Sequence, residues 1–225
     1  MMGGSVTAQA QRNPVDGTLR AAELLREARH HERAGRLPEA MDCCVAAIAE
    51  AAWSGAWAAQ AVGLRRLSVL HHQRGEPDAA RETCRTGYEV ALAAGDSVLA
   101  AEALNTLAGF ELECGNLVTA RTTYLQALAL GGESEELRAR IEQNLGTLAN
   151  VQGDLVGALE HYQRSLDTYQ GMSSDHECAL AYHDLGMASA DRGEWDEADR
   201  LFRQSRAIAD AEGDVHLQGL CTLPH

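Results

Sequence analysis

Two histidine pairs are the residues of this sequence whose type and spacing come nearest to a reactive site. His30-His31 and His71-His72 recur about forty residues apart, and imidazole nitrogens are common zinc ligands. A metal shared by the two pairs is one interpretation, and simple packing of these side chains within a helical protein is the other. Packing needs no further ligand, so we predict no metal site and no cofactor.

Motifs that carry catalysis are missing from the sequence. It contains no Gly-rich phosphate loop, no GxSxG elbow, no HExxH and no Asp-rich metal box. Glu194 and Asp196 flank Trp195 in a predicted turn, where nothing would exclude water. The six cysteines match neither a zinc pair nor a redox CxxC, and Cys44 is predicted to be a buried thiol. We therefore predict that the protein is not an enzyme and has no catalytic residues.

The charge balance limits the kinds of partner. The 225 residues include 33 acidic and 19 basic side chains, a formal charge of −14, and every basic residue is an arginine. Such acidity disfavours binding to nucleic acid or to an anionic membrane surface, since both carry negative charge. The sequence shows no signal peptide and no apolar run of 18 residues. We predict a cytoplasmic protein with reduced cysteines, from a GC-rich bacterial genome.

Glycines that follow predicted helices recur with a period near forty residues. An Ala stands five residues after each of them, and a Cys or an aromatic residue stands nine after. A small residue also stands seven before each glycine, and the offsets after the turn fall on one face of a helix. The pattern predicts antiparallel helix pairs that turn at the glycine. These turn glycines are Gly35, Gly75, Gly115, Gly153 and Gly193.

We call the helix before each turn glycine a first helix and the helix after it a second helix. Residues 1–17 are predicted to be a flexible tail, and residues 18–225 a single domain of repeats. Residues 214–225 begin a partial sixth copy. The predicted helix pairs are 18–34 with 37–54, 57–74 with 77–94, 97–114 with 117–130, 135–152 with 155–170, and 176–192 with 195–211.

The two best copies are residues 144–166 and 184–208. Both carry Leu-Gly before the turn, then an Ala, an aromatic residue and a small residue in the second helix. This pattern resembles the tetratricopeptide repeat (TPR), and the period near forty is similar to that of kinesin light chains and of many bacterial regulators. The resemblance implies an all-α fold, a right-handed TPR α-solenoid of antiparallel helix pairs with five full repeats plus a partial sixth. It also implies that the first helices line a concave surface.

The resemblance implies a non-catalytic scaffold that binds a peptide or helix of a partner protein on this concave face. In peptide-binding TPR proteins an Asn nine residues before the turn bonds the peptide backbone, and Asn144 occupies that place. Arg26 and Arg66, which also stand nine residues before their turn glycines, would supply charge-assisted bonds to a carboxylate. A solvated face without a ligand is the alternative. Taken from positions nine, ten and thirteen before the turn, the predicted peptide-binding residues are Arg26, Arg66, Asn105, Arg140, Asn144 and His183.

Two further interpretations stay open at this point. TPR arrays of the long-period type often form the sensor or self-association segment of a larger bacterial transcription regulator or signalling protein. The second interpretation is a homo-oligomer that forms through terminal helices, since Leu217, Leu220 and Leu223 would be left partly uncovered.

Overall fold

The computed structural model describes residues 13–213, which form ten α-helices and no strand within that range. Residues 1–12 of the predicted tail and residues 214–225 of the predicted sixth copy lie outside the described residues. None of the described helices has the length and apolar character needed to span a membrane. The helices are α1 Pro14–Arg33, α2 Leu37–Ser54, α3 Trp57–Gln73, α4 Pro77–Ala93, α5 Ser97–Glu113, α6 Leu117–Leu130, α7 Glu135–Val151, α8 Leu155–Gly171, α9 Asp175–Asp191 and α10 Trp195–Glu212.

The first helix starts earlier than the sequence predicted. The Asn13 side chain accepts a hydrogen bond at 3.1 Å from a backbone N–H of the first turn, and Pro14 occupies the first helical position. Both features favour a helix start. Residues 14–17 were predicted to belong to the tail and are helical instead. Gly17 is buried in this turn, where a Cβ atom would lie 3.0 Å from the Trp53 ring.

The predicted turn glycines do end the first helices. All five have φ between 70° and 80°, the left-handed region that side chains disfavour. At Gly153 the chain closes a Schellman motif, in which Gly153 N–H donates to Asn150 C=O and Asp154 N–H donates to Ala149 C=O, both at 2.9 Å. The last carbonyls of the helix are thereby satisfied, and the chain turns directly into the second helix.

The chain divides into two compact units, Met1–Leu99 and Ala100–His225. In the first unit α1 packs on α2, α3 packs on α4, and α2 contacts α3. In the second unit α7 packs on α8 and α9 on α10, while α6 contacts α7 and α8 contacts α9. Each unit is thus a stack of helical hairpins, and the predicted all-α solenoid architecture is confirmed.

Small residues let the paired helices of a hairpin approach each other. A Cβ atom on Gly146 would lie 2.6 Å from the Tyr162 ring, and one on Gly186 would lie 2.7 Å from the Phe202 ring. The aromatic ring of the second helix therefore occupies the space that a side chain on the first helix would need. Both rings are buried in this position, and the close approach extends the apolar area removed from water.

Cysteines replace the ring in the first two hairpins. Cys44 and Cys84 are fully buried, and burial raises the pKa of the Cys44 thiol to about 12. A thiol with such a pKa stays protonated at neutral pH and acts as a small apolar side chain. None of the five described cysteines forms a disulfide, and Cys221 lies outside the described residues.

Candidate binding surface on the first helices

Polar side chains join successive first helices of the second unit. The Asn144 side-chain N–H donates to Asn105 Oδ1 at 2.9 Å, and the Gln143 side-chain N–H donates to Asp184 Oδ2 at 2.6 Å. In both pairs a residue ten positions before one turn glycine bonds a residue nine positions before the next. The recurrence of this offset shows that α5, α7 and α9 stack on one another in the same register.

Two more contacts extend this arrangement along the helices. Asn150 donates to Asp191 Oδ2 at 3.3 Å, and Arg140 lies 3.5 Å from the Glu102 carboxylate. We call the surface that these contacts build on α5, α7 and α9 the first-helix face. It is formed by Glu102, Asn105, Arg140, Gln143, Asn144, Asn150, Asp184 and Asp191.

The Asn105–Asn144 pair keeps bonding capacity for a ligand. The two side chains are half-buried, and the bond between them uses one N–H of Asn144 and the carbonyl of Asn105. Within residues 13–213, no hydrogen bond is made by the amide N–H groups of Asn105 or by the side-chain carbonyl of Asn144. The pair therefore offers both a donor and an acceptor, which are the two groups that a peptide backbone requires.

Arg140 is held in place without its full set of hydrogen bonds. Its guanidinium faces Glu102, and its Nε atom is buried with no partner among the described residues. A guanidinium has five N–H donors in a fixed planar arrangement. The exposed part of the Arg140 side chain, 41 %, keeps some of those donors accessible to an acceptor from outside.

His183 lies at the edge of the face and is largely buried. Its side chain is 19 % exposed, its Nδ1 atom is 3.7 Å from Asp184 Oδ1, and its ring centroid is 5.6 Å from that of Phe202. The ring therefore packs inside the last hairpin and leaves a narrow edge for a ligand.

The first unit holds the two remaining predicted residues. Arg66 forms an ion pair with Glu32 that links α3 to α1, and both side chains are about one-quarter exposed. Arg26 is exposed beside a groove of about 440 Å³ on α1. Of the six predicted residues, the structure thus joins Asn105, Arg140 and Asn144 on one face, with His183 at its edge.

Thr147 and Val151 on α7 and Met187 on α9 were not among the residues that the sequence predicted for this surface. Thr147 Oγ1 accepts a hydrogen bond from the Tyr162 hydroxyl at 3.2 Å, which ties α7 to the second helix of its hairpin. Val151 is 59 % exposed and Met187 is 43 % exposed. Thr147 and Val151 follow Asn144 by three and seven residues, so the periodicity that selected Asn144 also contained the signal for them.

A separate polar cluster fastens α7 to α8. Glu142 Oε2 lies 2.7 Å from His161 Nδ1 and accepts a hydrogen bond from Arg164 Nε at 3.0 Å. Burial favours the protonated carboxyl, but the hydrogen bonds from His161 and Arg164 outweigh burial, so the pKa of Glu142 is lowered from its ordinary 4.5. The cluster uses its charges within one hairpin, and we assign it a structural role.

The histidine pairs have partners beside their own turns. His71 Nδ1 lies 2.6 Å from Glu76 Oε2, and His31 Nδ1 accepts a hydrogen bond from Arg36 Nε at 2.9 Å. Each of these two contacts crosses one turn, from a histidine four residues before the turn glycine to a residue directly after that glycine. Throughout residues 13–213, no three His, Cys, Asp or Glu side chains come together as metal ligands would.

The described chain is a tandem array of helical hairpins with a polar face on alternate helices, which defines a helical repeat protein. A family model described as tetratricopeptide repeat matches residues 99–171 and 137–211, and a second model of the same description matches residues 61–86. The chain belongs to the tetratricopeptide repeat family. No curated protein sequence matches it significantly.

Several solved structures share this fold. Aspartyl phosphate phosphatase F from Bacillus subtilis has a TM-score of 0.77 and 14 % identity over 92 % of this chain and 55 % of its own. A Rap protein complexed with Competence and Sporulation Factor has a TM-score of 0.80 and 13 % identity, over 91 % and 58 % of the two chains. The TPR-like repeats of a Podospora anserina kinesin light chain have a TM-score of 0.64 and 19 % identity, over 91 % and 99 %. The chain spans little more than half the length of the first two structures, and identities this low show a shared fold alone.

Proposed function

We propose that the protein is a non-catalytic interaction module that binds a peptide or a helix of a partner protein on the first-helix face. The observation that carries this proposal is the Asn105–Asn144 pair. Its two amides are fixed in position by a bond to each other, and they keep one donor site and one acceptor site for a ligand. An extended peptide backbone presents complementary groups at regular intervals.

Fixed side chains lower the entropy that binding would otherwise cost. Asn144 is held by Asn105, and Arg140 is held beside Glu102. A side chain that is already ordered in the free protein loses little rotamer freedom when a ligand arrives. We propose that Arg140 and the edge of His183 contribute to the same contact. In the first unit, taken by itself, we propose that Arg26 and Arg66 bond carboxylates.

Selection of peptides from a random library tests this proposal, because it requires no identified partner. A phage-displayed library of random twelve-residue peptides is panned on the whole chain, and the dissociation constants of recovered peptides are measured by calorimetry. Asn144→Ala removes the fixed amide, and we expect it to weaken binding by about tenfold or more, the effect of a lost buried hydrogen bond.

Gln126→Ala is the matched control for this experiment. Gln126 is an exposed amide on α6, a second helix, and is not one of the residues that form the first-helix face. We expect the control variant to bind like the wild type. Peptides that bind both variants as tightly as the wild type would show that the first-helix face is not the binding surface.

The second candidate is a sensor or self-association segment of a larger regulator. It is favoured by the likeness to longer structures, one of which was solved in complex with Competence and Sporulation Factor. A self-associating module would gain mass with concentration in multi-angle light scattering. A constant monomer mass across a hundredfold range of concentration would leave peptide binding as the better proposal.

A further inference from the structure

One strip of the first-helix face combines exposed apolar side chains with carboxylates. On α9, Asp184, Met187 and Asp191 are spaced by three and four residues, so they lie along one side of the helix. On α7, Val151 is exposed by 59 %, and Met187 on α9 is exposed by 43 %. No element among the described residues covers either side chain, so both are accessible to a partner.

The carboxylates of this strip are oriented by neutral amides. Gln143 donates to Asp184 at 2.6 Å, and Asn150 donates to Asp191 at 3.3 Å. Asp184 Oδ1 also lies 3.7 Å from His183 Nδ1. Neither carboxylate forms an ion pair with an arginine within the described residues, and α9 contains four acidic residues and no basic one apart from histidine. Other carboxylates of the second unit do face arginines: Glu102 faces Arg140, Glu142 faces Arg164, and Glu197 faces Arg200.

The negative charge of the strip acts on a neighbouring hydroxyl. The pKa of Tyr162 is raised to about 12, mainly by burial; the hydrogen bond with Thr147 lowers this pKa, and the charges of Asp184 and Asp191 contribute to raising it. Both carboxylates therefore reach the same region of α8 and produce a local negative potential. An acidic partner would be repelled there, and a cationic one attracted.

We propose that this strip binds a segment of a partner protein in which arginine or lysine side chains flank an apolar side chain. The inference rests on the proposed function above and names the chemistry of its ligand. The cations would pair with Asp184 and Asp191, which stand two helical turns apart, about 10 Å. The apolar side chain would cover Val151 and Met187, and a flexible methionine adapts to the shape of its partner.

Three rhodamine-labelled probe peptides of equal length test the proposal by fluorescence anisotropy at 0.15 M salt. Their sequences are GRLRGRLRG, GQLQGQLQG and GELEGELEG, which differ in the residue that flanks each leucine. We expect the arginine peptide to bind the whole chain about tenfold more tightly than the glutamine peptide and the glutamate peptide to bind most weakly. A fourth peptide with serine in place of leucine, GRSRGRSRG, should lose several-fold in affinity.

Charge-neutral variants locate the effect. The double variant Asp184→Asn with Asp191→Asn keeps the size of both side chains, and we expect it to abolish most of the preference for arginine. The matched control is Asp42→Asn with Asp167→Asn, two residues of second helices whose replacement changes the net charge equally. The control should keep the preference. Melting curves by circular dichroism check that both variants are folded.

Three results would overturn this inference. They are an equal loss of preference in both double variants, equal affinities for the arginine and glutamine peptides, and no binding of any probe. The proposed function fails separately, through the response of the library peptides to Asn144→Ala. The two experiments can also disagree: library peptides could need Asn144 for binding while the strip shows no preference for cationic probes. That combination would support the proposed peptide-binding function and refute the inference about the chemistry of the ligand.

Discussion

Asn144 donates a hydrogen bond at 2.9 Å to Asn105, a residue 39 positions earlier in the chain. Gln143 and Asp184 repeat the relationship across the next pair of first helices, at a separation of 41. Since both pairs join equivalent positions of consecutive copies, the bond follows from the stacking of the helices. The same stacking leaves the free groups of the pair on the first-helix face.

The Asn105–Asn144 bond should be measurable as a coupling energy. We expect Asn105→Ala and Asn144→Ala each to lower the free energy of unfolding slightly, and the double variant to lose less than the sum of the two. The difference should be about 0.5–1 kcal/mol, the net value of a hydrogen bond between half-buried neutral groups. Urea unfolding of the four proteins measures it, and strictly additive losses would show that the bond contributes nothing.

Gly146 should not tolerate a methyl group. A Cβ atom there would lie 2.6 Å from the buried Tyr162 ring, so Gly146→Ala must displace the ring. We expect a loss of about 1–3 kcal/mol in the free energy of unfolding. In Gly109→Ala, the nearest atom to the new methyl group is the Tyr124 hydroxyl at an ordinary 3.7 Å.

The Gly109→Ala variant therefore serves as a control for the intrinsic effect of alanine in a helix. Here we expect stabilisation by about 0.5–1 kcal/mol, because alanine loses less backbone entropy on folding than glycine does. Thermal and urea unfolding of both variants measure the difference. Equal effects at the two positions would contradict the close packing that the structure shows at Gly146.

Glu142 should make stability depend on pH. Its pKa is lowered in the folded protein because the bonds from His161 and Arg164 outweigh burial, so folding favours the ionised form. The resulting stabilisation is fully present above the ordinary pKa of 4.5 and is lost as the pH falls through the lowered folded value. We expect Glu142→Gln to lose about 1–2 kcal/mol at pH 7 and much less near pH 3.

Glu160→Gln gives the comparison for this pH profile. Glu160 is exposed on α8 of the same hairpin, and neutralising it changes the net charge by the same amount. Urea unfolding between pH 3 and pH 7 should show a nearly constant difference from the wild type for this control. A Glu142→Gln difference that stays constant over the same range would show that the cluster does not stabilise the fold through its charge.

The turns and helices were predictable from the sequence because each depends on local chemistry. The five turn glycines all have positive φ, as predicted, and most helix ends fall within one residue of their predicted positions. The start of α1 was missed because the glycine and aspartate of residues 14–17 are typical of a loop, whereas capping by Asn13 and packing against Trp53 decide the outcome.

The hydrogen-bond partners on the first-helix face were not predictable, although the repeat positions that form this face were. Successive residues on a helix differ by about 100° in direction, so positions nine and ten before the turn lie at the border between face and core. Leu25 at position ten is 6 % exposed, and the equivalent His183 is 19 % exposed. Which of the two positions bonds the next copy depends on how the hairpins stack, and spacing within one copy carries no information on that.

The third copy is two residues shorter than its neighbours, with a second helix of 14 residues where α8 has 17. The amide contact that joins the third copy to the fourth nevertheless uses the same repeat positions as the contact that joins the fourth copy to the fifth. Length variation is thus absorbed in α6 and in residues 131–134, which connect α6 to α7. Related proteins can therefore gain or lose residues at this loop while the recognition chemistry persists, and we expect insertions and deletions among homologues to accumulate there.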